Sequence, residues 1–167
     1  MSAATSADDA RYRPCVGAML INRQGLVFVG QRTDTRQEAW QMPHGGIEAD
    51  EAPDVAVLRE LKEEIGTDKA RILAETAGWH RYDLPPELQG KVWGGRYCGQ
   101  SMKWFLLAFT GVDADIRPES VEHPEFRTWR WTDPAGLPEA AIGFKRAVYE
   151  AVLAQFLPAI RRFAGSP

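Results

Sequence analysis

The chain has 167 residues, of which 44% are hydrophobic, 26% charged and 10% aromatic, a composition that suits one globular domain and excludes a disordered, collagenous or disulfide-stapled chain. Its 20 basic and 23 acidic residues leave a net charge of −3, the wrong sign for coating duplex DNA but compatible with a small basic pocket that reads one phosphorylated end. No apolar run approaches the roughly 20 residues that cross a bilayer, so no membrane partner is expected.

In chain order, residues 1–11 are Ala/Ser/Asp-rich and read as a flexible tail with neither the basic start nor the apolar core of a secretory signal. Residues 12–163 then form one domain. Apolar, β-rich segments at 15–21 and 26–31, separated by Asn22-Arg23-Gln24-Gly25, predict a hairpin. A polar loop at 33–38 leads to Trp40-Gln41-Met42-Pro43-His44-Gly45-Gly46. Residues 53–65 predict a helix, opened by Pro53 and acidic residues and closed by Gly66. Residues 71–82 predict one strand or two short ones, and 85–100 a Gly/Pro/aromatic loop. Residues 103–109 predict a strand buried on both faces, and 126–131 alternate as another. The last helix is predicted over 143–157, with Pro158 ending or kinking it. The pattern is α+β with a mixed sheet.

The informative stretch runs from Gly45 to Thr67. Glu60, Glu63 and Glu64 stand at i, i+3 and i+4, so their carboxylates share one helix face, while Leu58, Leu61 and Ile65 fall opposite and supply the core stripe. Like charges at that spacing repel, and a hard divalent cation both relieves the repulsion and takes carboxylate oxygens as ligands. A solvated acidic face paired with Arg59 and Lys62 is the alternative.

Gly45, Glu51, Arg59, Glu60, Leu61, Glu63, Glu64 and Gly66 match, in register, the signature G-x5-E-x7-R-E-U-x-E-E-x-G-U, and the chain thereby resembles the Nudix hydrolase family. Seven fixed positions match by chance about once in 10⁹ windows. Only Thr67 departs, at the helix exit, where an aliphatic residue is usual. The resemblance implies an α/β/α sandwich around a mixed sheet and hydrolysis of a nucleoside diphosphate linked to another group. It also implies Mg²⁺ or Mn²⁺ held by Glu60, Glu63 and Glu64, with Gly45 at the metal and Gly46 at the substrate. Glu51 and Arg59 would brace the site.

Further segments resemble the branch containing bacterial RNA 5′-pyrophosphohydrolases and asymmetric diadenosine tetraphosphate hydrolases. These are Tyr12-Arg13-Pro14, Trp40 to Pro43, Gly99-Gln100 with Lys103-Trp104-Phe105, Pro124-Glu125-Phe126 with Trp129-Arg130-Trp131, and Phe144-Lys145-Arg146. Carried over, Arg13, Arg32, Lys103 and Lys145 would contact phosphates or base, Phe144 would stack on a base, and Glu125 would be a late metal ligand or catalytic base. Phe144 equally suits core packing, and Glu125 a strand end. His44 stands where Gln is usual. Trp79, Trp93, Trp129 and Trp131 read as core or loop anchors, and Cys15 and Cys98 as inert, reduced cytoplasmic thiols. The implied substrate is a nucleotide or the 5′ end of single-stranded RNA. A dinucleoside tetraphosphate, a nucleotide sugar or a dNTP are the rival substrates, and a non-catalytic nucleotide sensor is the rival class, which would be expected to have lost helix glutamates.

Overall fold

The hairpin at the start of the chain seeds a mixed sheet. β1 (Tyr12–Ile21) turns back into β2 (Val27–Arg32) through a loop in which the Asn22 side chain accepts from the Gln24 and Leu26 amides, and Gly25 takes φ 77°. This is a computed structural model; it describes residues 9–33, 39–141 and 143–165, with backbone only at Asp9 and Phe144. Most of the expected tail, and all of the expected loop but Thr33, lie outside the described residues.

β3 (His44–Gly46) lies antiparallel on β1, pairing Val16 with Gly45, although the segment reads as loop in sequence. Its two glycines carry no β signal, and the pairing is imposed by β1 alone. After α1 (Pro53–Ile65) come β4 (Ala70–Glu75) and β5 (His80–Asp83), so the stretch 71–82 is two strands. Both lie antiparallel on β6 (Gly99–Phe109), which starts four residues before the predicted strand because Gly99 already pairs with Tyr12. β6 runs parallel to β1, and β7 (Phe126–Thr132) closes the far edge against β2. The main order is β4-β6-β1-β2-β7, with β3 on β1 and β5 on β6.

A short α2 (Leu137–Ala140), unmarked in the sequence, precedes a 3₁₀ turn (Gly143–Lys145) and α3 (Arg146–Ala164). α3 runs through Pro158, so of the two expectations, an end or a kink, the helix does not end there. Ala154, whose carbonyl loses its helical donor to the proline, is exposed, so water can satisfy it. Phe156 and Ile160 on either side are buried and hold the last turns to the core.

Period-two alternation sends β1 side chains to two cores. Val16, Ala18 and Leu20 pack under α1 with Phe105 and Leu107, while Cys15, Met19 and Ile21 pack under α3 with Trp104, Tyr149 and Val152. The result is an α/β/α sandwich.

Candidate active site

α1 places the carboxylates. Pro53 occupies its first turn, and Gly66 ends it at φ 87° with its N–H on the Lys62 carbonyl. Ala56, Val57, Leu61 and Ile65 are buried, but Leu58 is only half-buried. Glu64 is buried as well, 3% exposed, so the three glutamates do not share a face away from the core as expected. Glu64 lies two turns after Val57, on the same line of the helix. The acids form a gradient: the side chain of Glu63 is 57% exposed and that of Glu60 15%.

Arg59 organises the loop–helix junction. Its guanidinium donates to both oxygens of Glu51 at 2.7 and 2.8 Å, to the Gly46 carbonyl at 2.9 Å, to Glu60 at 3.0 Å and to Glu63 at 3.1 Å. This fork holds the Glu51 carboxyl down to about 2, helped by the Glu48 amide. Thr67, the departure from the signature, is buried and its hydroxyl accepts from the Lys69 amide, so it serves as a turn residue.

The acidic side is built from three elements. The His44 amide of β3 donates to Glu64 Oε2 at 3.1 Å, and Gly45 packs so tightly on Glu60 that any Cβ would overlap its carboxyl group. Glu125, just before β7, hydrogen-bonds Glu64 through its side chain. Burial first, then Glu125, pushes the Glu64 carboxyl well above the usual range; burial likewise raises Glu60 against the pull of Arg59. A groove of about 630 Å³ opens over these acids and is walled by Arg117, Ser120 and His123. Among the described residues no three His, Cys, Asp or Glu side chains form a ready-made metal cage. The donor chemistry nevertheless fits a hard divalent cation. Glu60, Glu64 and Glu125 bring carboxylate oxygens to one groove, for Glu60 and Glu64 at the expense of their ionisation, which a cation would reverse, and Gly45 leaves the cradle open.

Basic residues also come close to β3. Burial first, then the charges of Lys145, Arg32 and Arg13, push His44 down to about 3, and Lys145 lines a small cavity with the imidazole. His44 is therefore neutral, its Nδ1 3.2 Å from the Met42 carbonyl. Lys145 is buried, with Nζ 3.5 Å from Gln41 Oε1. Arg13 lies against Gly46, where a Cβ would come within 2.5 Å of its guanidinium.

Lys103 stands apart, donating to the Thr76 carbonyl at 2.6 Å and pairing with Glu75. The Phe144 side chain lies outside the described residues. Trp129 stacks on Phe28, and Trp131 donates to Asp113, as anchors. Trp79 is 47% exposed and anchors no core. Cys15 is buried in the sheet. Sequence reasoning passed over Tyr97, which shares a groove of about 310 Å³ with Arg13, Gly46, Glu60 and Glu63. It also passed over Tyr149, whose hydroxyl accepts the Met42 amide and so holds the strand leading into the glycine pair. The only signal for Tyr97 was its place in an Arg-Tyr step beside a Trp-Gly-Gly turn.

Residues 11–152 match the NUDIX domain model. The chain is 55% identical over 150 residues to an RNA pyrophosphohydrolase of Rhodospirillum rubrum, covering 90% of each chain. It is 56% identical over 147 residues to an RNA pyrophosphohydrolase of Roseobacter denitrificans, covering 87% of this chain and 91% of that one. Among solved structures, the Escherichia coli dihydroneopterin triphosphate pyrophosphohydrolase superposes with a TM-score of 0.64 at 18% identity, covering 86% of this chain and 98% of that one. A Caenorhabditis elegans Ap4A hydrolase superposes with a TM-score of 0.62 at 18% identity, covering 88% and 98%. At that identity the structures speak for the fold alone.

Proposed function

This chain belongs to the Nudix family, and from that premise we propose that it is a metal-dependent hydrolase that converts 5′-triphosphorylated RNA to 5′-monophosphate RNA. The observation that carries the substrate is the near-full-length likeness to bacterial relatives named for that activity. Nudix hydrolases generally require a divalent ion; Mg²⁺ or Mn²⁺ is our assignment here, with Glu60, Glu63, Glu64 and Glu125 as the holding set.

When bound, such an ion offsets phosphate charge and acidifies water. The chain's own residues do the rest. Arg59 locks α1 to the glycine loop through Glu51 and the Gly46 carbonyl, so Glu60 and Glu64 face the groove in one arrangement. Pre-setting these groups spares reorganisation during the reaction. Arg13, which lines a groove with Gly46, Glu60 and Glu63, acts with Arg32 and Lys145 to hold the polyphosphate and its nucleoside, orienting a phosphorus for in-line attack. Glu125 takes the proton of the attacking water at its carboxylate. The products are 5′-monophosphate RNA and pyrophosphate or successive phosphates.

Residues 12–163 would form the catalytic unit, and the cytoplasm, where bacterial RNA ends are met, would be its location. No described helix is long and apolar enough to cross a membrane. Duplex DNA is excluded as a substrate on charge, and diadenosine tetraphosphate is expected to be a second substrate. The test is side-by-side kinetics on 5′-triphosphorylated RNA, diadenosine tetraphosphate, ADP-ribose and dGTP. RNA should give the highest kcat/KM, and diadenosine tetraphosphate should turn over. Rapid turnover of ADP-ribose or dGTP with RNA untouched overturns the assignment.

A further inference from the structure

Beside the site, at the N-terminal end of β1, three arginines each lie over an aromatic ring. Arg81 stands 4.7 Å from the Tyr12 ring centre, Arg13 5.3 Å from Trp93, and Arg96 5.5 Å from Tyr97. The pairs are contiguous. Tyr12 and Arg13 are the first two residues of β1, so their side chains leave opposite faces and the strip wraps round the end of the strand. The turn carrying Trp93, Arg96 and Tyr97 runs directly into β6, where the Cys98 amide bonds the Arg11 carbonyl and Gly99 pairs with both Tyr12 and Asp83.

The turn holds an unusual backbone. Trp93 has φ 52°, Gly94 65° and Gly95 72°. A left-handed tryptophan is disfavoured and persists only where its surroundings over-determine it. Here the indole lies under Arg13 and edge-on to Tyr97, with ring centres 6.3 Å apart. Arg81 and Arg96 are exposed, as is Arg11, whose backbone carbonyl accepts from the Cys98 amide. Four arginines thus gather with three rings at one end of a protein whose net charge is −3.

Interleaved arginines and aromatic rings suit one occupant best, a flexible strand whose phosphates meet the guanidinium edges and whose unpaired bases lie on the rings. Duplex nucleic acid offers no base faces, and an acidic peptide offers nothing for the rings. The strip is continuous with the site, because Arg13 and Tyr97 both wall the groove beside Gly46, Glu60 and Glu63. The geometry points to this strip, Arg81–Tyr12, Arg13–Trp93 and Arg96–Tyr97, as the track along which single-stranded RNA leaves the active site after its leading nucleotides. The inference rests on the RNA reading of the same site. It extends that reading, since low net charge alone would confine recognition to the first few nucleotides.

The experiment compares wild type with Arg81→Ala, Arg96→Ala and the double variant, none of which touches the carboxylates. Substrates are 5′-triphosphorylated single-stranded RNAs of two and eight nucleotides, with diadenosine tetraphosphate as control. Wild type should favour the octamer, and the double variant should lose that preference through a KM raised about fivefold or more on the octamer alone. The salt dependence of log kcat/KM on the octamer should flatten by about 0.7 per arginine removed. Trp93→Phe should retain most of the preference and Trp93→Ala lose it. Equal effects on dimer, octamer and diadenosine tetraphosphate, or none on any, overturn the track. Failure of wild type to cleave either RNA instead overturns the underlying substrate reading.

Discussion

Gly45 and Glu60 occupy one another's space: the α-carbon of the first leaves room for the carboxyl group of the second and for nothing larger. That contact joins β3 to α1 where the acidic groove begins. Gly45→Ala should therefore displace Glu60 and lower kcat by about 10²-fold, while circular dichroism and melting temperature change little. A variant as active as wild type would show that Glu60 can work from another position.

Glu64 is buried between the His44 amide and Glu125. Glu64→Gln keeps the shape but removes a charged oxygen, so turnover should fall by about 10²-fold or more with the fold intact. Excess chelator should abolish wild-type activity. Near-normal rates in either experiment would sink the metal assignment.

Glu51 has a pH signature. Its carboxyl titrates near 2 when folded against an ordinary 4.5, because Arg59 and the Glu48 amide favour the charged form. A depressed carboxyl stabilises the fold above its unfolded value, and that contribution drains away as pH falls from about 4.5 towards 2. Glu51→Gln should thus melt below wild type at neutral pH, and the gap should close with acidification over that window. A gap independent of pH would refute the Arg59–Glu51 account.

The thiols should react differently. Burial pushes Cys15 up to about 11, leaving roughly one thiolate in a thousand at pH 8. Cys98 is half-exposed, its Sγ donating to the Arg11 carbonyl. A thiol reagent should modify native protein quickly at Cys98 alone and reach Cys15 only on unfolding. Fast modification of both, read by mass spectrometry, would contradict the packing.

Gly17 lies under Trp104, whose ring would stand 2.5 Å from an added Cβ. Gly17→Ala should cost about 1–3 kcal/mol through overpacking of the sheet against α3. A lowered denaturant midpoint, with activity kept well below the transition, is the expected result; an unchanged midpoint would mean the indole moves freely.

Local sequence determined what local physics controls. The proline-opened, glycine-closed α1, the Asn22–Gly25 turn and the order of the carboxylates follow from spacing and backbone preference, while the bracing by Glu51 and Arg59 was implied by the family signature. Sequence stopped where a neighbour decides. β3 is a strand only because β1 offers it a partner, and α3 outlasts Pro158 because Phe156 and Ile160 are anchored in the core. Helical spacing put Glu60, Glu63 and Glu64 together but could not grade their burial, which depends on which strand the helix is laid against. Nor could it bring Lys145 into one cavity with His44, since residues about a hundred positions apart meet only when the segment leading into α3 closes over the sheet. Spacing along a chain sets which groups a single element presents, whereas charge, desolvation and reach into a shared groove are set by what other elements bring within a few ångströms.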